Sequence, residues 1–244
     1  MSLNDDAFKY VPDLRGRILD PLTSRFRNLD YKNIDELAAE QGLGPDWRRT
    51  DAEREATRAE ALAGRDGEDL WVFAYGSLMW DPGFLFEEVR LALLPDYQRC
   101  FCLMTEVGRG SPTAPGLMAA LDCGGTCEGL AFRIAGERVD TETEIIWRRE
   151  MIIQGYVPTF VGLDTAQGTV EGLAFVVDHS GPRYLPDHDP DDAARMIAQG
   201  VGQLGTNIEY LDNLAEQLDL LGIHDEEFHD VHRRARAVLA AAAE

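Results

Sequence analysis

The segment 71–80, WVFAYGSLMW, is an apolar run broken by Gly76 and Ser77, and Asp81-Pro82-Gly83 then turns the chain. A strand that ends on small residues points successive backbone N–H groups into one space, a nest of anion size. Gly76 allows close approach to that backbone, because a Cβ would stand in the way. Ser77 is not read as a covalent nucleophile, since A-Y-G-S-L is not the G-x-S-x-G of a nucleophile elbow. Arg109, between Gly108 and Gly110, is either a bidentate partner for a substrate carboxylate or a solvated loop arginine.

Four cysteines make a C-x-C, Cys100 and Cys102, and a C-x3-C, Cys123 and Cys127. Neither spacing is that of a zinc ribbon or finger. Cys100 and Cys102 share one face of a strand with apolar neighbours Phe101, Leu103 and Met104, which suits reduced core thiols. His229 and His232 stand at i, i+3 with no third ligand in view, so they read as surface residues. His179 and His188 fall in polar loops with no visible partner. No metal is expected.

Five segments follow one another in a recognisable order: VFAYGSLMWDP (72–82), RCFCL (99–103), GRGSPTAPG (108–116), WRREMIIQGYVPTF (147–160) and LGTNIEYL (204–211). Over roughly 70–222 the chain resembles the ChaC-like branch of the γ-glutamylcyclotransferases, in its bacterial glutathione-specific form. The resemblance implies an α+β fold: a small mixed β-barrel of the γ-glutamylcyclotransferase type with packed helices. It also implies a cofactor-free reaction on a γ-glutamyl peptide, glutathione above all, giving 5-oxoproline and cysteinylglycine. The substrate's own α-amine attacks its γ-carbonyl, so the protein needs no nucleophile. An α-amino group has a pKa of about 8, so it arrives protonated at neutral pH. One carboxylate that takes this proton and returns it to the leaving nitrogen suffices.

The resemblance puts that role on Glu150, in the pair Arg149-Glu150. The local pattern points the same way, with Ile146, Glu150 and Ile153 at i, i+4 and i+7 on one helical face. Desolvation on such a face raises a carboxyl's proton affinity, and Arg148 and Arg149 pull against it. Without the resemblance, Glu150 would read as one exposed or paired member of 44 acidic residues. The resemblance carries over Val72, Phe73, Ala74, Tyr75, Gly76 and Ser77 as substrate-binding, and Tyr184 near a tyrosine that hydrogen-bonds the ligand. Glu209 and Tyr210 are motif residues too, although a helical Tyr beside Leu211 and Leu214 reads equally as core. Many relatives have glycine where this chain has Ala74; another branch of the family shares the alanine. Two alternatives stand beside the glutathione reading: a cyclotransferase for other γ-glutamyl amines, and a non-catalytic binding protein that keeps the pocket.

The elements that must hold these residues are legible from caps and breaks. The division expected is a helical N-terminal extension, 1–67, and a cyclotransferase-like domain with C-terminal helices, 68–244. In the extension, 33–40 reads as a short helix ended by Gly42, and Asp51 as the cap of a helix over 52–63. Pro12 and Pro21 interrupt what precedes them. Leu70 to Tyr75 reads as a strand buried on both faces. Strands follow at 88–94 and 97–104 around Pro95-Asp96, and at 117–121 and 127–134 around Gly124-Gly125. A helix over 137–153 carries Glu150, and strands at 156–163 and 169–177 complete the set. Asp189-Pro190-Asp191-Asp192 starts a helix to about 203; Thr206 caps one over 207–220 and Asp225 a last one to about 242.

At 244 residues with a net charge of −21, the chain is acidic throughout and has no run of Lys or Arg. Such a field repels phosphate backbones, so no nucleic-acid partner is expected. No window approaches a membrane span, and the N-terminal stretch carries acid where a leader carries base. The protein is expected in the cytoplasm.

Overall fold

The computed structural model describes residues 5–186 and 188–242; the first four residues of the N-terminal stretch lie outside them. Five strands close into a barrel in the order β1-β3-β2-β4-β5, with β1 and β5 completing the ring in parallel. The strands are β1 (Leu70–Ala74), β2 (Glu88–Thr105), β3 (Gly116–Ile134), β4 (Tyr156–Thr165) and β5 (Val170–Val177).

Every residue of β1 is buried, and its alternation explains why. Trp71 and Phe73 point into an inner cluster made with Ala92, Leu121, Ala131, Leu163 and Ala174, all of them strand residues. Leu70, Val72 and Ala74 point outward into a cluster completed by helical residues such as Trp147, Ile197 and Leu211. A barrel wall covered by helices buries both faces of a strand, so its sequence is continuously apolar.

The breaks expected at Pro95-Asp96 and Gly124-Gly125 are bends, not ends. β2 and β3 pair antiparallel from Glu88↔Arg133 to Thr105↔Gly116, with register shifts at Pro95/Tyr97 and Cys100/Leu103. Asp96 takes φ 65°, and Gly124 and Gly125 take φ 106° and 64°, so the strands turn locally and keep pairing.

The extension runs as four short 3-10 turns, two with Pro12 and Pro21 at their first positions, then α1 (Tyr31–Glu40) and α2 (Asp51–Ala61). The cap of α2 is Thr50, one residue before the expected Asp51: its hydroxyl accepts from Glu53 N, and Glu53 reaches back to Thr50 N. That reciprocal pair satisfies two orphan amides, which the Asp51 reading overlooked. The helix carrying Glu150, α3 (Val139–Glu150), is shorter than expected at both ends, with a 3-10 turn before it and Met151 closing it. Ile153 therefore lies past the helix and does not share a face with Ile146 and Glu150.

The extension is bolted to α3. Arg27 donates to both oxygens of buried Glu142 at 2.7 and 2.9 Å, Trp147 Nε1 donates to Thr57 Oγ1 at 3.2 Å, and Arg49 N donates to Ile152 O at 2.9 Å. Trp147 also meets Phe175 of β5 edge-on at 5.4 Å. Helix α3 is thus clamped between barrel and extension.

Beyond the barrel come α4 (Pro190–Gln199), a two-stranded ribbon of β6 (Val201–Gly202) and β7 (Gly205–Thr206), α5 (Asn207–Leu221) and α6 (Glu226–Ala242). Asp189, Thr206 and Asp225 cap the three helices, and Gly222 ends α5 at φ 67°. No helix among the described residues is long and apolar enough to cross a membrane.

Candidate active site

The last residue of α3, Glu150, faces a small cavity of about 60 Å³ that it shares with Tyr75, Gly76, Ser77 and Leu78. Tyr156, Phe175, Tyr210, Met118 and Ala119 form the remaining walls. Burial raises the Glu150 carboxyl above its ordinary range, and the Arg149 guanidinium, 3.1 Å away, opposes that shift without cancelling it. Arg148 takes no part, because it turns outward to donate to Leu29 O at 2.6 Å.

The turn is held from both sides. After Ala74 the chain enters a 3-10 turn, Ser77–Met79, whose leading amides have no intrahelical acceptor. Arg149 donates to Ser77 Oγ at 2.6 Å and also bonds Asp81 O. Arg99 is buried and donates to Tyr75 O at 2.8 Å and Glu128 O at 2.8 Å, while pairing with Asp225 at the start of α6. A Cβ on Gly76 would sit 3.1 Å from the Tyr210 hydroxyl, which gives the glycine its reason. The Tyr75 hydroxyl donates to Phe175 O at 2.9 Å, which seats its ring in the wall. Asn207 is fully buried and bonds both backbone groups of Leu117, at 2.7 and 2.9 Å, fastening the start of α5 to β3.

Of the residues singled out from sequence, Tyr75, Gly76, Ser77 and Glu150 come together around this cavity. Val72, Phe73 and Ala74 are buried in the barrel wall, and their side chains do not line it. Tyr184 is elsewhere. Its hydroxyl bonds Asp122 Oδ2 at 3.0 Å, its ring stacks on His179 at 4.5 Å, and it lines a separate cavity of about 290 Å³. Arg109 does not line the Glu150 cavity; it binds Thr206 O at 3.1 Å and Glu209 Oε2 at 3.0 Å, tying its loop to the start of α5.

Two aromatic walls were not assigned from sequence. Tyr156 opens β4 directly after the Glu150 segment, and Tyr210, although buried as core, also faces the cavity. The helical pattern of α5 could not separate these two roles, because an apolar face and a pocket wall have the same period.

The cysteine expectation is corrected: Cys100 and Cys102 are joined as a disulfide, with Cα atoms 5.5 Å apart. They share a strand face at the register shift that begins at Cys100, where same-side neighbours meet. Cys127 is a buried thiol, pushed up to about 11 by burial, and Cys123 is exposed. Among the described residues, the one grouping with metal-ligand spacing is Cys100, Cys102 and Asp122, whose ligand atoms lie within 4.8 Å of one another. With both sulfurs in a disulfide, neither is a thiolate ligand. His179 also has the partner its loop concealed, Asp122 at 2.6 Å.

The family model for ChaC-like proteins matches residues 70–238, and the chain belongs to that family. It is 39% identical over 190 residues to the glutathione-specific γ-glutamylcyclotransferase of Escherichia coli K12, covering 77% of this chain and 82% of that protein. It is 32% identical over 169 residues to the human glutathione-specific γ-glutamylcyclotransferase 1, covering 67% of this chain and 76% of the relative. Among solved structures, a yeast γ-glutamyl cyclotransferase specific to glutathione superposes with a TM-score of 0.64 at 18% identity. That match covers 69% of this chain and 96% of the yeast protein, and it shows that the α+β barrel fold is shared.

Proposed function

We propose that this protein is a γ-glutamylcyclotransferase acting on glutathione, with Glu150 as its proton shuttle. The single observation that carries the mechanism is the buried Glu150 carboxyl sharing one cavity with the turn Tyr75-Gly76-Ser77. The relatives named above, called glutathione-specific at 39% and 32% identity, support the substrate.

The γ-glutamyl group folds so that its α-amine meets its own γ-carbonyl, held by the amides of the turn and enclosed by Tyr75, Tyr156 and Tyr210. Glu150 takes a proton from the ammonium, which frees the amine's lone pair to attack, and charge gathers on the former carbonyl oxygen as the new C–N bond forms. The bond to the departing nitrogen then breaks, Glu150 returns its proton to it, and the second proton shed by the ring nitrogen completes the ammonium of the departing cysteinylglycine. The products are the five-membered lactam 5-oxoproline and cysteinylglycine. Burial suits the group to this task, since a carboxylate of raised pKa is a stronger base than an ordinary one.

In this proposal the extension, 1–67, braces the helix that carries Glu150, and the domain, 68–244, supplies the chemistry. Reduced glutathione belongs to a reducing compartment, so we assign the protein to the cytoplasm, where the Cys100–Cys102 disulfide is open to reduction. With a net charge of −21, nucleic acid is not proposed as a partner.

The test is 5-oxoproline release from glutathione and from γ-glutamyl dipeptides. Glu150→Gln keeps the shape and loses the base, so turnover falls by roughly 10² or more while glutathione still binds. Unchanged turnover in the variant removes Glu150 from the mechanism. No product from any γ-glutamyl compound with the wild-type protein removes the enzymatic reading.

A further inference from the structure

The cavity of about 290 Å³ beside Tyr184 is enclosed by residues of β2, β3, α4 and α6, and among the described residues it shares no wall with the Glu150 cavity. Cys100, Cys102 and Asp122 all line it. Strand pairing brings them together. Gln98 stands opposite Asp122 and Cys100 opposite Ala120, so Asp122 is the diagonal neighbour of Cys100 on one face. Cys102 shares that face across the register shift that begins at Cys100. Both sulfurs and a carboxylate oxygen of Asp122 lie within 4.8 Å of one another. The C-x-C spacing supplies two ligands, and the third stands on another strand, where no spacing could show it.

Asp122 is held as an oriented anion. His179 Nε2 lies 2.6 Å from its Oδ1, Cys123 N donates to the same oxygen at 2.7 Å, and the Tyr184 hydroxyl donates to Oδ2 at 3.0 Å. Burial pushes this carboxyl up, but the bonds from His179, Cys123 and Tyr184 outweigh it and hold the group below its ordinary range. A carboxylate oxygen offers two lone pairs, so Oδ2 can serve Tyr184 and a cation together. Ligand carboxylates are characteristically steadied by such an outer ring of hydrogen bonds. Glu227 lines the cavity too, and among the described residues no Lys or Arg does, so the local field favours a cation. Reduction frees the other two donors. Two equivalents of a thiol such as reduced glutathione convert the Cys100–Cys102 disulfide to two thiols and leave as their own disulfide. A divalent cation then displaces the two thiol protons.

We propose that reduced Cys100 and Cys102, together with Asp122, bind one zinc ion, and that oxidation to the disulfide closes the site. Two thiolates fit zinc better than magnesium or calcium, and the carboxylate makes the set harder than copper(I) favours. Zinc–ligand lengths of about 2.0–2.3 Å place tetrahedral ligand atoms about 3.6–3.8 Å apart, within the span of these three. Water from the cavity takes the fourth position. Set apart from Glu150, the ion has a structural task. It ties β2 to β3 one residue from Arg99, whose guanidinium holds the Tyr75 carbonyl. The assignment stands independently of the cyclotransferase reading.

The test titrates the full chain, reduced with a phosphine and kept anaerobic, with zinc against a chromophoric chelator. One zinc per chain is expected, with a Kd of about 1 µM or tighter, and the oxidised protein should bind at least about a hundredfold more weakly. Cobalt(II) in place of zinc should give a thiolate-to-metal charge-transfer band, which surface carboxylates do not produce. His179→Gln should weaken zinc about ten- to hundredfold by releasing the carboxylate it steadies, and Cys102→Ser should weaken it further. Cys123→Ser, at the exposed thiol beside Asp122, should leave binding as it is. No stoichiometric zinc on the reduced wild type overturns the proposal, and so does equal affinity in the reduced and oxidised protein; neither result requires any variant to fold. Binding that survives Cys102→Ser unchanged, or is lost with Cys123→Ser, overturns it as well.

Discussion

Arg27→Met removes one of the contacts that bind the extension to α3, together with the Arg27 bond to Gly83 O at 3.2 Å. Arg27 supplies two donors to Glu142, at 2.7 and 2.9 Å, and the Leu85 amide supplies a third at 2.7 Å. The substitution strands a carboxylate whose side chain is 3% exposed, with one donor left. Breaking a buried pair by removing one partner costs about 3–5 kcal/mol. The Arg27 side chain is 17% exposed, so water reaches part of the vacated space, and the Leu85 donor remains. The lower end applies, about 3 kcal/mol. At this chain length that lowers Tm by about 6–12 °C in a calorimetric scan. Arg27→Met/Glu142→Met removes the stranded charge as well and should recover most of the loss. A single variant within about 1 kcal/mol of wild type would refute the reasoning. A double variant as unstable as the sum of the two single changes would refute it equally, since the cost would then not come from an unpaired charge.

Glu150 must be ionised to accept a proton, so the acidic limb of the pH–rate profile should lie above the ordinary glutamate value of 4.5, moved up by burial. A limb at or below that value would contradict the burial. The stability consequence runs in the same window: a raised folded-state pKa leaves stability intact below about pH 4 and loses it as pH rises through the folded value. Glu150→Gln should therefore match wild type in urea titrations at low pH and exceed it at pH 7; equal stability at both would sink the claim. Gly76→Ala places a Cβ 3.1 Å from the Tyr210 hydroxyl, closer than an ordinary contact, so the tyrosine that walls the cavity must shift. Activity should fall at least about tenfold with a loss of about 1–3 kcal/mol in stability, and near-normal kcat/KM would show that the turn is looser than described.

Much of this was readable in the chain because the signals were local. The caps at Asp189, Thr206 and Asp225 work through side chains reaching two or three residues ahead, and β1 announces two-sided burial by its unbroken apolar run. The strand breaks were misjudged for the opposite reason. Pro95 and Gly124-Gly125 are turn formers in isolation, yet cross-strand pairing on either side holds β2 and β3 together through them. Arg27 and Glu142 stand 115 residues apart, and nothing near either one names the other. The candidate site divides along the same line. Tyr75, Gly76 and Ser77 were visible as a strand-ending turn, and Glu150 through the family resemblance. Tyr156 and Tyr210 join them only when the barrel closes, and Tyr184 sits near Asp122 instead.

Asp225 has a double duty with a dynamic outcome. One of its oxygens caps α6 by accepting from Phe228 N at 3.0 Å, and the other holds Arg99, which in turn grips the carbonyl of Tyr75. Fraying the first turn of the last helix releases the cap and the guanidinium together. The turn beside Glu150 is thereby coupled through Arg99 to a helix start more than 100 residues away in sequence. The C-terminal helix is thus one of two anchors of the turn beside Glu150, the other being Arg149.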